Sequence, residues 1–189
     1  NRIIQLQSGQ LEIRSDSIFL GEVPDDRILP ASLAKFNGNF VGAIKQLVIN
    51  ERPLDIHRMT VKNVNVNHVD SGANRGCCDL FTLYRGYVNA EQAAFYNGTT
   101  EYAYLSGGIE PIFSADTSQF SLEFRTSSTH GVLWWESEWS GSNSSDFLII
   151  HLRKGQVYIA VNLGNDTLKS VTTNLVVTSG KWHRVAVER

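Results

Sequence analysis

The stretch Asp146-Phe-Leu-Ile-Ile-His-Leu-Arg-Lys154-Gly155-Gln-Val-Tyr-Ile-Ala-Val-Asn-Leu-Gly164 reads as two β-strands joined by a two-residue turn. In its second arm Val157, Ile159, Val161 and Leu163 alternate with Tyr158, Ala160 and Asn162, the period-two pattern of a half-buried strand. Lys154-Gly155 supplies the turn, because glycine accepts the positive φ that two-residue hairpin loops demand. An acid stands where the hairpin begins and a glycine where it ends.

The same grammar recurs outward from this hairpin. Phe120, Leu122 and Phe124 repeat the alternation, and short β-branched and aromatic runs sit between Gly, Asn, Ser and Asp punctuation while helix signals are scarce. These features predict an all-β antiparallel sandwich. Gly42 inside Phe40-Val-Gly-Ala-Ile44 marks a bulge or a close backbone approach. Asn50-Glu-Arg-Pro53 is expected to end a strand, since Pro53 cannot donate to a ladder. Between 57 and 100 the pattern weakens, and the polar run through Asn63, Asn65, Asn67, Asp70, Gly72 and Gly76 reads as a crossing between units.

Composition narrows the function classes. At 189 residues the chain holds one large all-β domain or two small ones, and 42% hydrophobic against 19% charged residues is the balance of a folded protein. A net charge of -2 argues against nucleic acid, which needs a basic surplus on one face. No run approaches a membrane-spanning helix and the first residues lack the zones of a signal peptide, so no membrane insertion is expected and the chain reads as an internal piece of something larger. The sequons at Asn97, Asn143 and Asn165 are candidate glycosylation sites compatible with secretion, although fourteen asparagines would give about two by chance. With Cys77 and Cys78 as the whole cysteine content, the chain is no disulfide scaffold and has too few cysteines for an EGF-like module.

The hairpin resembles the calcium-rim hairpin of laminin G-like (LG, or LNS) domains. Phe120-Ser-Leu-Glu-Phe-Arg-Thr126, Gly131-Val-Leu-Trp-Trp135 and Gly180-Lys-Trp-His-Arg-Val-Ala-Val-Glu-Arg189 surround it in that family's order and spacing. Ile18-Phe-Leu-Gly-Glu-Val-Pro24 and Phe40-Val-Gly-Ala-Ile-Lys-Gln-Leu-Val-Ile-Asn50 with Leu54-Asp55 resemble the second half of the same domain, so the halves stand in reversed order. The resemblance covers nearly everything except residues 77 to 100. It implies residues 1–80 as the C-terminal half of one LG domain, 81–100 as a linker and 101–189 as the N-terminal half of the next. A composite sandwich made from both halves, within one chain or exchanged between two, is the alternative. Ala43 stands where the family carries a cysteine, which leaves a vicinal bridge, an intermolecular bond and free thiols all open for Cys77 and Cys78.

The resemblance also implies a low-affinity Ca2+ ion on the rim, with the Asp146 side chain and the Leu163 carbonyl as ligands, and the Ile13 carbonyl and Asp16 side chain from the other half. Calcium takes oxygen ligands in a loose shell completed by water, so such a set suffices for weak extracellular affinity. The bland alternative for Asp146 is a loop cap. A glycan on Asn165 would stand at this rim. Glu136 and Glu138 in Trp134-Trp-Glu-Ser-Glu-Trp139 are the pair an enzyme would need, because alternate residues share one strand face and paired carboxylates cleave glycosides; the bland reading is solvated glutamates on an edge strand. His57, His68, His130, His151 and His183 show no zinc-ligand spacing. Lys45, Arg52, Arg58, Lys62 and Arg75 form a loose basic cluster in sequence, with a solvated surface as its plain account.

The function expected is a non-enzymatic adhesion module of the extracellular matrix or of a membrane-protein ectodomain, as in agrin, perlecan, laminin α chains or neurexin. Its implied partners are a dystroglycan-type glycan, heparan sulfate, a neuroligin-like receptor or an integrin. A jelly-roll glycoside hydrolase and a structural spacer in a tandem array are the rivals.

Overall fold

A computed structural model describes residues 17–23, 38–54, 60–62, 93–98, 102–106, 119–137, 147–162 and 168–188. Among these residues there are twelve strands and no helix: β1 (Ser17–Gly21), β2 (Val41–Ile49), β3 (Arg52–Leu54), β4 (Thr60–Lys62), β5 (Ala93–Asn97), β6 (Tyr102–Ser106), β7 (Gln119–Arg125), β8 (Gly131–Ser137), β9 (Phe147–Arg153), β10 (Gln156–Asn162), β11 (Lys169–Val176) and β12 (Trp182–Glu188). One sheet has seven strands in the order β11-β10-β9-β8-β1-β6-β4, and the other has five, β12-β7-β2-β3 with β5 also on β2. All pairing is antiparallel. The expected all-β sandwich is what the chain forms, and among the described residues no helix is long and apolar enough to cross a membrane.

Alternation sorts the strands onto the interior. β7 contributes Phe120, Leu122 and Phe124, β9 contributes Leu148, Ile150 and Leu152, and β10 contributes Val157 and Val161, all to one cluster between the sheets. Fully burying each such side chain contributes about 1.5–3 kcal/mol. A second cluster of Phe19, Val23, Val132, Trp135, Phe147, Ile149 and Ala160 lies on the other face of the seven-stranded sheet. β8 and β9 are therefore buried on both faces, which is why Gly-Val-Leu-Trp-Trp and Phe-Leu-Ile-Ile read as continuous apolar runs.

Turn chemistry follows the sequence at Lys154 and Gly155, whose φ values of 52° and 76° close the β9–β10 hairpin. Gly42 marks a close approach: a Cβ there would stand 2.2 Å from the Arg125 carbonyl oxygen and 2.8 Å from the Phe40 ring. The register shift of β2 against β7 falls between Lys45 and Val48 instead, where Gln46 has φ 51°. Pro53 departs from expectation. β2 does end at Ile49, just before this stretch, but Pro53 sits inside β3, opposite Val48, tolerated because β3 is a sheet edge among the described residues. The chain reverses at Asn50 and Glu51, both at positive φ (46° and 64°).

Strands from both ends of the chain interleave. β1 lies between β6 and β8, and β2 lies between β7 and the β3/β5 edge. The stretch 81–100, expected as linker, contains β5, which pairs with β2 from Val41 to Lys45. Thr126 fastens this joint: wholly buried, its hydroxyl donates to the Val41 carbonyl at 2.6 Å and accepts from the Ser128 N–H at 2.8 Å.

Candidate functional site

Five strand ends line up across one end of the seven-stranded sheet. Ser106 of β6 is opposite Ser17 of β1, Ser17 opposite Ser137 of β8, Ser137 opposite Phe147 of β9, and Phe147 opposite Asn162 of β10. Asp16 immediately precedes Ser17, Asp146 immediately precedes Phe147, and Leu163 immediately follows Asn162. Ile13, Asp16, Asp146 and Leu163 lie outside the described residues, as do Asn143, Asn165, Cys77 and Cys78; of Asn97 the described part is its backbone, at the end of β5 opposite Val41.

Register sets the spacing of this row. Phe147 and Asn162 are direct neighbours, whereas Ser17 and Asn162 are three strand steps apart, roughly 14 Å at about 4.8 Å per step. Asp146 and Leu163 thus adjoin one cross-strand pair, while Asp16 adjoins a position well across the sheet.

Asn162 is the polar residue of the row that sequence reading passed over. It is 4% exposed, and its Oδ1 is buried with no hydrogen-bond partner. Its strand face is that of Ala160, within the cluster where Trp135 and Phe147 stack 5.1 Å apart. A buried amide oxygen left unsatisfied costs about 1–3 kcal/mol, so this end of the sheet carries an acceptor that suits a cation or a water. Calcium takes oxygen donors of this kind, and this is the single one the described part of the row offers, the residues expected to hold the ion lying outside the described residues.

Farther along the same face His151 is buried and stacked on Tyr158, 5.4 Å between centroids, with Arg153 also over the tyrosine ring at 5.6 Å. Burial pushes the His151 ring down to about 4; its contact to the Leu152 carbonyl opposes this, and Arg153 and His130 add to it. His183 is also held below its ordinary value, by partial burial and then by Lys181, and its ring lies 5.8 Å from Phe124. Among the described residues no group of three metal-ligating side chains occurs.

Of the acid pair considered for glycoside chemistry, the described member is inaccessible. Glu136 is fully buried on a central strand, not solvated on an edge, because β1 and β9 flank β8. The Trp134 Nε1–H donates to its Oε2 at 3.4 Å. Glu138 lies outside the described residues. The basic cluster is likewise dispersed: Lys45 and Arg52 belong to the five-stranded sheet and Lys62 to the seven-stranded one, while Arg58 and Arg75 are outside the described residues. Lys45 is not solvated. It is 5% exposed, 3.5 Å from Glu123 and 4.4 Å from the Trp182 ring centroid, which Arg125 also approaches at 5.2 Å.

Residues 124–189 match the laminin G domain family model. Pikachurin of Bos taurus is 27% identical over 203 residues, covering 95% of this chain and 19% of that protein. Neurexin-2 of Homo sapiens is 24% identical over 186 residues, covering 92% of this chain and 10% of that protein. Laminin subunit alpha-1 of Mus musculus is 23% identical over 217 residues, covering 100% of this chain and 7% of that protein. The chain thus spans a fifth or less of the length of these relatives. No solved structure matches it significantly. With the antiparallel sandwich, the family match over residues 124–189 and these relatives together, the chain is similar to laminin G-like domains.

Proposed function

We propose that the chain is a non-enzymatic extracellular recognition module that binds a glycan or protein receptor through a calcium-dependent rim at the Ser106–Asn162 end of the seven-stranded sheet. The observation that carries this reading is the register row itself, which pairs Phe147 and Asn162, the neighbours in sequence of Asp146 and Leu163. The Asp146 carboxylate and the Leu163 carbonyl would hold the ion, with Ile13 and Asp16 as the further pair. The ion supplies a fixed positive charge that bridges to acidic sugars or to carboxylates of a partner. The protein's part is to keep the row rigid, which burial of β8 and β9 on both faces achieves.

The family match over residues 124–189 and the similarity to a laminin subunit and a neurexin support an adhesion role outside the cell. Within that role the partner classes proposed are an acidic glycan, of the dystroglycan or heparan sulfate kind, or a receptor such as a neuroligin-like protein or integrin. Burial of Glu136 weighs against the glycosidase rival, since a carboxylate between the sheets meets no substrate.

The test is thermal unfolding in millimolar calcium against excess chelator. A ligand that binds only the folded state adds about 2.7 kcal/mol at a hundred times its dissociation constant, so the melt should move upward by several degrees. A glycan array and receptor panel, each run with calcium and with chelator, then identifies the partner class. A melt indifferent to calcium, together with calcium-independent or absent binding, would defeat the reading.

A further inference from the structure

We propose that the outer edge of β12, unpaired among the described residues, pairs with β12 of a second copy, antiparallel about a two-fold axis at Ala186, so that the chain forms a reversible homodimer through its five-stranded sheet. The inference concerns a flank of the sandwich rather than its rim and is independent of the calcium reading.

Three observations lead to it. The first is an open apolar flank. β11 is the edge of one sheet and β12 the edge of the other, and residues 177–181 join them. So short a connection spans at most about 20 Å, too little to cross a seven-stranded sheet about 29 Å broad at about 4.8 Å per step, so both edges lie on the same side. Among the described residues the large hydrophobics left exposed, Leu168, Leu175 and Val176, all lie on or beside β11. Val185 and Val187 of β12 pack against the core but are only partly buried.

The second is that β12 lacks the devices that keep an edge single. The ladder of β11 is broken where Thr173, Asn174 and Leu175 face Val157, whereas β12 runs opposite β7 from Trp182 to Glu188 with no register shift and no proline. A regular, unguarded edge is a template for another strand.

The third is charge, which names the occupant. Arg184, Ala186 and Glu188 share one face of β12, opposite Glu123, Ser121 and Gln119 of β7. Two copies paired about Ala186 set Arg184 of each opposite Glu188 of the other, with Val185 opposite Val187 on the inner face and alanine against alanine at the axis. Centring on Val185 instead sets Arg184 against Ala186, and centring on Arg184 sets like charges face to face. Strands of this length cover less than the roughly 800 Å² per partner of a stable interface, so the dimer exchanges with monomer. Because the strands are antiparallel, the Ser106–Asn162 ends of the two copies point in opposite directions, and one dimer bridges two bound partners.

The experiment is sedimentation velocity of the full chain at rising concentration, for the parent, Arg184→Glu, Glu188→Arg and an equimolar mixture of the two variants. EDTA and a reductant are present so that neither calcium nor Cys77 and Cys78 can link copies. The parent should show a monomer–dimer equilibrium. Each variant alone places like charges at both pairs and should dimerise at least about tenfold more weakly. The mixture should recover the parent's affinity as a heterodimer, because each pair again joins an arginine to a glutamate. Arg184→Glu also faces Glu123 within its own sheet; should it fail to fold, Glu188→Arg, exposed and opposite Gln119, decides with hydrogen exchange, in which the β12 amides of the parent slow with concentration and those of the variant do not. A parent chain monomeric at every concentration overturns the proposal, since the edge is then covered from within the chain or not at all. A dimer that Glu188→Arg leaves unchanged, or variants that do not recover on mixing, overturns it too, because the contact then lies elsewhere. None of these outcomes bears on the calcium reading.

Discussion

Phe120 and Trp134 stack across the interior, 4.2 Å between ring centroids and 13° between planes, and so join the five-stranded sheet to the seven-stranded one. Trp134 is fully buried and its N–H is the donor to Glu136. Trp134→Ala should therefore lose about 3–5 kcal/mol in urea unfolding, the range for deleting a buried indole and leaving a cavity. A loss below about 1 kcal/mol would mean that the two sheets are held elsewhere.

Gly42 and Gly180 offer a matched pair of substitutions. A Cβ at Gly42 meets the Arg125 carbonyl at 2.2 Å, and that oxygen belongs to a strand fixed on both sides. Gly180 has φ +70° with nothing within 4 Å. Gly180→Ala should cost about 1 kcal/mol for the left-handed backbone alone, and Gly42→Ala should cost clearly more, about 2 kcal/mol or above. Equal costs, measured by chemical denaturation, would show that β2 and β7 separate easily.

The β2–β3 turn carries Glu51 at φ 64°. Asn-Gly is the preferred pair for a turn with both central residues at positive φ, so Glu51→Gly should stabilise the protein by about 0.5 kcal/mol even though it removes a 3.4 Å contact from Gln119. A fall in stability would mean that this exposed contact outweighs the backbone strain.

His151 predicts a pH dependence of stability. Its folded value of about 4 lies below the ordinary 6.5, so between those values the unfolded chain binds the extra proton and stability falls as pH falls. The contribution is whole above about 6.5 and is lost progressively down to about 4, on the order of 3 kcal/mol in all. His151→Gln should flatten that part of the profile relative to the parent chain, and parallel profiles would refute the assignment. Arg153, His130 and the Tyr158 ring surround the group, and none offers a negative charge to stabilise the protonated ring.

What could be read from the sequence followed local periodicity. Phe120, Leu122 and Phe124, and Val157 through Val161, alternate cleanly, so their faces and the Lys154-Gly155 turn were legible without neighbours. Pro53 was misjudged because whether a proline breaks a ladder depends on which side its strand is paired, a non-local fact. Glu136 looked like a solvated glutamate until β1 and β9 were seen to flank it. Asn162 was hidden for a related reason: it occupies the polar phase of an alternating strand, which normally faces water, and here that face, shared with its cross-strand partner Phe147, is buried. The rim residues suggested by resemblance were legible as motifs, but the distance between Ser17 and Asn162 is a property of strand order, which no single motif encodes.

The place of β1 between β6 and β8 also sets the order in which the protein can be made. Ser17 to Gly21 leave the ribosome long before residues 131–137, their partners across more than a hundred positions of chain. Until then Ile18, Phe19 and Leu20 must wait as an apolar strand with one edge open. Pairings this distant in sequence fold slowly, because loop closure precedes any reward in contacts, and waiting strands of this kind are where aggregation begins. A chaperone that shields the first strands should therefore raise the yield of folded chain more than any change to the late hairpin.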